Sequence, residues 1–237
     1  MENWIEFGRG PLFRLCFALM ILGLIRTFAF SLFGLIGAYH RAGEKVVPWG
    51  DLIKKTFSWL IPIGRIWRAR PLYSIISIIW HIGLIIVPLF LAAHVTLWKN
   101  SVGFAWFSLP QIWADNLTIV AIISALLLFI GRVSSKEARA LSRKQDFWWP
   151  PLLALPFFTG YLCSNISLSA NGYQVIMLIH LYSANLVMVM IPFTKVAHCV
   201  LLPLSQFVSS VGWKFPRGTG EKVMKTLGKD NMKEEIA

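Results

Sequence analysis

Carboxylates are missing from the apolar interior of this chain. Only 14% of its 237 residues are charged, and no Asp or Glu falls within residues 72–98, 117–131, 148–166 or 175–204. This argues against a proton relay or cation transporter, which places acidic groups inside the membrane. Cysteine is nearly as scarce. Cys16, Cys163 and Cys199 lie far apart, with no CxxC among them, so neither an iron–sulfur cluster nor a zinc site within the chain is supported. Disulfides are equally unsupported. The N-terminus, MENWIEFGRG, lacks the basic n-region and short apolar core of a cleaved signal peptide, so the first apolar run is expected to be retained as a span. Strand alternation and internal repeats are also absent, which removes a barrel and a solenoid.

What remains is apolar and aromatic: 56% hydrophobic residues, with 11 Trp and 17 Phe. That composition predicts an all-α integral membrane protein. Five transmembrane helices are expected, at about residues 11–39, 72–98, 117–131, 148–166 and 175–204. Each approaches or exceeds the ~17–25 residues a spanning helix needs. Residues 1–212 then form the membrane domain and 213–237 a basic cytoplasmic tail.

The net charge of +12 is concentrated in short loops, which points to membrane topology and not to nucleic acid. Arg41, Lys45, Lys54, Lys55, Arg65, Arg68 and Arg70 lie between spans 1 and 2. Arg132, Lys136, Arg139, Arg143 and Lys144 lie between spans 3 and 4. Lys214, Arg217, Lys222, Lys225, Lys229 and Lys233 lie in the tail. The 2–3 loop has only Lys99, and the 4–5 loop has no Lys or Arg. The positive-inside rule puts the N-terminus outside and the C-terminus in the cytoplasm, as a multi-pass protein of the cell inner (cytoplasmic) membrane. The loop at 41–71 mixes Trp49, Phe57, Trp59, Leu60 and Trp67 with basic residues. It reads as an amphipathic segment anchored in lipid, or as a docking surface for a cytoplasmic subunit.

Of the five histidines, four fall in two spans: His81 and His94 in span 2, His180 and His198 in span 5. In an ideal helix the eighteen steps from His180 to His198 return to the same azimuth and rise about 27 Å. Span 2 runs outward and span 5 inward, so the four sort by depth into an inner pair, His81 with His198, and an outer pair, His94 with His180. Two histidines from facing helices are the axial ligands of a haem iron. The spacing therefore predicts two haem groups stacked across the bilayer. His81 to His94 fits less well, because thirteen steps leave about 140° of mismatch. Either a kink at Pro88 absorbs it, or one of these two is not a ligand and His40 replaces it. Haem propionates need cations, and the candidates are Lys195, Arg26, Arg14 and Arg132. Arg132 could equally anchor span 3 at the interface by snorkelling.

The run HLYSANLVMVMIPFTKVAH at 180–198 resembles the last helix of the cytochrome b subunit of respiratory nitrate reductases. There a Pro-Phe-Ser/Thr-Arg/Lys run precedes the final histidine ligand. WHIGLIIVPLFLAAH resembles that family's ligand helix with its two histidines. The resemblance covers roughly residues 12–205. The longer spacing in span 2, the Trp-rich 1–2 loop, RPLYSIIS before His81 and FSLPQIWADNLT after span 2 look closer to one branch. That branch holds the membrane cytochrome b subunits of the Dsr/Tmc/Hme-type redox complexes and of membrane-bound heterodisulfide reductase.

The resemblance implies a di-haem b anchor that exchanges electrons between a menaquinone-like pool and a heterodisulfide-reductase-like iron–sulfur subunit. Such a chain is one subunit of an oxidoreductase complex and not a complete enzyme; a periplasmic cytochrome c is a further implied partner. It also implies a quinone site by the outer haem, near Ala93 and His94, with Lys99 and Asp115 at the same face. Asp115 could accept a proton, or simply cap span 3. The competing readings are a solute or ion transporter lined by the histidines, and a membrane anchor whose haem is purely structural.

Overall fold

The computed structural model describes residues 1–60, 70–211 and 214–228, and the described residues form helices and no strand. Arg65, Trp67, Arg68, Lys229 and Lys233, and the side chains of Trp59 and Leu60, lie outside what is described. In chain order the helices are α1 (Glu2–Arg41), α2 (Trp49–Leu60), α3 (Pro71–Phe90), α4 (Ala92–Val102), α5 (Gln111–Ser134), α6 (Lys136–Leu141), α7 (Lys144–Asn165), α8 (Ala170–Met190), α9 (His198–Val211) and α10 (Thr219–Thr226). Among the described residues four stretches are long and apolar enough to cross a membrane: α1, α3, α5 and Ala170–Phe193. The described chain is thus all-helical, with four candidate membrane-spanning helices. The fourth expected span corresponds to α7, which has the length but is diluted by Trp148, Trp149, Pro150, Pro151 and Pro156.

The chain divides into two compact units. The first holds residues 1–23 and 70–196 of the described chain. In it α3 packs along α5, α5 along α7, α7 along α8, and the first turns of α1 against α8. Small side chains make these approaches close. Ala114, Thr118, Ala121, Ser124 and Ala125 form the buried face of α5. A Cβ added to Gly83 of α3 would lie 2.7 Å from the Ala121 Cβ and 3.2 Å from the Leu117 carbonyl. Without a hydrophobic effect to drive association in lipid, such close backbone packing is what holds helices together. The start of α1 widens into a π-turn at Gly8–Leu12, around Pro11. Asn185 of α8 donates its Nδ2 to the Gly8 carbonyl at 3.0 Å, and Tyr182 donates to the Trp4 carbonyl at 3.4 Å.

Two expected spans are interrupted. The span at 72–98 breaks at Leu91, which is extended (φ −65°, ψ 131°), three residues after Pro88. The carbonyls set free by the break are not left bare. The Trp106 indole donates to the Leu89 carbonyl at 2.8 Å, and the Leu109 amide to the Phe90 carbonyl at 2.8 Å. The FSLPQIW stretch therefore folds back onto the break, after a left-handed Gly103 (φ 86°) ends α4. The span at 175–204 is also not one helix. It passes through 3₁₀ turns at Ile191–Phe193 and Lys195–Ala197, separated by an extended Thr194 (φ −132°). Pro192 cannot donate within the ladder, and the Thr194 hydroxyl donates to the Met190 carbonyl at 2.9 Å. Pro192 also presses on α1: a Cβ on Gly23 would sit 2.6 Å from its ring. The ideal-helix azimuth linking His180 to His198 is lost with the break.

The second unit holds residues 24–60, 197–211 and 214–228. There α2 packs on α9, with Leu52 buried and Trp49 edge-on to Phe207 at 5.6 Å. Trp49, Ile53 and Phe57 keep an exposed apolar stripe at four-residue spacing beside Lys54 and Lys55. This is the form expected of an interfacial helix. Lys214 pairs with Glu44 at 3.4 Å, and the Gly43 amide donates to the Phe215 carbonyl at 2.9 Å.

Candidate functional site

His94 is the third residue of α4, immediately after the Leu91 break, and His180 lies in the middle of α8. The two rings face each other with centroids 6.1 Å apart and planes within 10°. A direct hydrogen bond between imidazoles would bring the centroids to ~5 Å. One metal ion between them, with bonds of about 2.0 Å and ~1.1 Å from each nitrogen to its ring centre, gives ~6.2 Å. An offset aromatic pair spans the same range, so the nitrogen environment decides what the distance means.

That environment is built on α7. The His180 Nδ1 donates to the Pro156 carbonyl at 2.8 Å, and the Thr159 hydroxyl lies 3.4 Å from the same nitrogen. Thr159, almost fully buried, donates to the Leu155 carbonyl at 2.8 Å. Protonation at Nδ1 places the lone pair on Nε2, the arrangement of a metal-ligating histidine held by an outer carbonyl. Gly160 makes the approach possible. A Cβ there would lie 3.0 Å from Cε1 and 3.2 Å from Nδ1 of His180. The His94 Nδ1 is fully buried and makes no hydrogen bond of good geometry, although the carbonyls of Val87 and Pro88 at the break lie within electrostatic reach. The 6.1 Å spacing is common to two histidines on one metal ion and to an offset ring pair, and the Nδ1 contact leaves the His180 Nε2 free to ligate. Among the described residues no group of three or more His, Cys, Asp or Glu side chains could hold a metal, so a closed zinc-type site is not formed.

The other expected ligands lie on other elements. His81 is partly buried on α3, its Nδ1 2.6 Å from the Ser77 carbonyl and its ring beside Trp80. His198 is exposed and opens α9 in the second unit, whereas His81 belongs to the first. His40 is exposed at the end of α1, where the Lys45 ammonium donates to the His40 and Tyr39 carbonyls at 2.8 and 2.6 Å.

The cations sort into two groups. Lys195 and Arg132 converge on Asp146. Lys195 contacts both carboxylate oxygens at 2.7 and 2.6 Å. Arg132 donates to the Asp146 backbone carbonyl at 2.6 Å and lies 3.8 Å from its carboxylate. These contacts give Arg132 a tertiary partner at the end of α5. Burial pushes the Asp146 carboxyl upward, but the Lys195 hydrogen bond, the Arg143 amide and the two cationic charges outweigh it and hold its pKa below the usual value. Arg26 lies over the Phe30 ring at 4.9 Å, and Arg14 is exposed on α1. At the opposite end, Ala93 and Lys99 are exposed on α4. Asp115 does not cap α5. It lies inside the helix, which starts at Gln111, and its Oδ1 accepts from Gln111 at 2.8 Å and from Asn165 at 3.1 Å.

Sequence reasoning missed Pro156, Thr159, Gly160 and Asp146. The first three could have been narrowed to one stretch: α7 and α8 form an antiparallel hairpin, and counting equal lengths from its turn brings His180 within a residue of Pro156, with Thr159 and Gly160 one turn on. Asp146 carried no such signal, because it sits among five basic residues of the 3–4 loop.

No family model matches the chain, and no solved structure matches it. A protein of Nitratidesulfovibrio vulgaris, described only as "Protein", is 29% identical over 216 residues, which cover 90% of this chain and 94% of that one. The similarity extends over nearly the whole of both chains, so it takes in the helices that carry His81, His94 and His180.

Proposed function

We propose that this chain is the di-haem b membrane subunit of a respiratory redox complex in the cytoplasmic membrane. It transfers electrons between a menaquinone-like pool and a heterodisulfide-reductase-like iron–sulfur subunit. The observation that carries this reading is the His94–His180 pair, 6.1 Å apart and within 10° of parallel, with His180 held through Nδ1. When bound, a haem supplies one-electron transfer; the protein supplies ligands, orientation and exclusion of water. The Leu91 break, closed by Trp106 and Leu109, aims His94. Pro156, Thr159 and Gly160 aim His180. Trp98, one turn after His94, packs edge-on against Phe13 and Phe17 at 5.3 and 4.8 Å and adds an apolar wall on that side.

In this reading α7 is the fifth span. It has 22 residues, about 33 Å, and packs between α5 and α8, both of spanning length. Five spans with the basic segments inside put the N-terminus out and the C-terminus in. His81 and His198 hold the second, inner haem. Arg14 and Arg26 are the propionate partners available outside the Asp146 cluster, with Lys195 sharing its charge between Asp146 and a propionate. The quinone contacts the outer end, around Ala93, His94 and Lys99, where Asp115 takes or returns a proton.

Single His→Ala variants test the pairing through haem content and redox titration of the purified protein. His94→Ala and His180→Ala should each lose the outer haem and keep the inner one. His81→Ala and His198→Ala should do the reverse. Loss patterns that do not divide along these pairs would overturn the ligand assignment.

A further inference from the structure

Beside the Asp146 cluster the surface hollows into a concavity of about 550 Å³, lined by Arg143, Lys144, Gln145, Phe193, Thr194 and Lys195. Of this lining the electron-transfer reading uses Lys195 alone. All six residues belong to the first unit. Three of them are cations. Lys195 is half-exposed and already faces Asp146, whereas the charged ends of Arg143 and Lys144 make no ion pair among the described residues. Two cations with no counter-charge at one rim, next to a third that is neutralised, leave a net positive hollow. Hydroxyl and amide groups of Thr194 and Gln145 supply hydrogen-bonding capacity beside it.

The position is as telling as the charge. Arg143 caps α7, so the positive end of that helix dipole adds to the field. Phe193 (66% exposed) and Trp148 (74% exposed) leave apolar and aromatic surface at the same level. Aromatic rings beside Lys and Arg at the end of a spanning helix mark the headgroup layer of a bilayer. Basic pockets between helices on the cytoplasmic side are where anionic headgroups are held.

We propose that Arg143, Lys144 and Lys195 form a binding site for a phosphate group, with an anionic phospholipid headgroup as its membrane source. Phe193 and Trp148 contact the upper acyl chain, and the phosphate oxygens accept from the two unpaired cations. The site shares Lys195 with the electron-transfer reading, and variants at Arg143 and Lys144, which that reading does not use, keep the two failures distinguishable.

The test uses the purified full chain in a neutral detergent. Retention of phosphatidylglycerol against phosphatidylcholine is read by native mass spectrometry, and inorganic phosphate is titrated in a parallel arm. The variant is Arg143→Gln with Lys144→Gln; the control is Lys222→Gln with Lys225→Gln, exposed on α10 of the tail. Each headgroup-level cation changes anionic lipid affinity about fivefold, so the site variant should weaken phosphatidylglycerol binding ~30-fold and the control should not. Selective loss of phosphatidylglycerol identifies the lipid as the source. Equal loss of inorganic phosphate binding at millimolar levels supports the phosphate site but identifies a soluble anion as its occupant. Equal weakening by both double variants, or no weakening by either, would overturn the proposal. So would loss of binding to an acidic partner subunit with lipid and phosphate binding unchanged.

Discussion

Gly160→Ala offers the sharpest local test of how His180 is held. The added Cβ would lie 3.0 Å from Cε1 and 3.2 Å from Nδ1 of the imidazole. Carbon–carbon contact is comfortable at about 3.5–4.0 Å, so the ring must retreat by ~0.5–1 Å. It is held toward that same helix face by the 2.8 Å bond from Nδ1 to the Pro156 carbonyl. A retreat of that size takes the bond past the ~3.2 Å at which N–H···O contacts weaken, and exceeds the ~0.5 Å tolerance of a ligand constellation. Global stability should move less than the ligand does. Overpacking costs about 1–3 kcal/mol, while replacing Gly by Ala inside a helix returns about 1 kcal/mol. Disturbing an outer contact to a ligating histidine typically costs about 10–100-fold in metal affinity. The assay is haem retained per chain after dilution in detergent, with the low-temperature spectrum and redox titration of what remains. The outer haem should be lost or shifted in potential and the inner one unchanged. Gly131→Ala is the matched control, since a Cβ there meets nothing within 4 Å. If Gly160→Ala keeps both haems with unaltered potentials, the claim that α7 aims His180 is wrong.

Other consequences follow from the two breaks and the ion cluster. Asp146→Asn leaves Lys195 and Arg132 facing an uncharged group; with Lys195 half-exposed and screened, the cost should be about 1–2 kcal/mol, read as a lower melting temperature. Because folding holds the Asp146 pKa below its ordinary value, its contribution is complete above the unfolded value of about 4 and disappears as pH falls through the lowered folded value. Wild type and Asp146→Asn should therefore differ at pH 6 and converge in melting temperature below pH 4, and parallel curves throughout would contradict the sign. Trp106→Phe removes the indole donor from the Leu89 carbonyl and should cost about 0.5–1.5 kcal/mol, with faster hydrogen exchange of amides in residues 89–95 than elsewhere in α3.

How much of this was legible in the sequence differs from element to element. The apolar runs announce themselves because a bilayer demands long hydrocarbon-compatible helices, and α1, α3, α5 and α8 follow that demand. Their interruptions are harder to read. Pro88 signalled trouble in span 2, but proline removes only its own donor. The chain opens three residues later, at Leu91, because Trp106 and Leu109 from a distant loop are there to take the carbonyls. Pro192 was visible too, yet its effect depends on Gly23 of α1 lying under its ring, which no local pattern records.

The His94–His180 pairing was reached from depth alone, without any knowledge of side-chain geometry, and the structure brings those two rings together. The Lys195 environment was not reachable in the same way. Sequence distance from His198 suggested a propionate, whereas the nearest anion is Asp146, carried by another helix and masked by its basic neighbours. Asp115 shows the converse error. Its D-N-L-T context has the chemistry of a cap, but Pro110 starts the helix a turn earlier and leaves the carboxylate to link α5 to Asn165.

The most direct measurement of the central claim is the pyridine haemochrome stoichiometry of the purified, folded full-length chain. Two haem b per chain are predicted, with His94→Ala and His180→Ala each retaining one. Helical, monodisperse protein from haem-replete cells with no Soret absorbance would contradict the account.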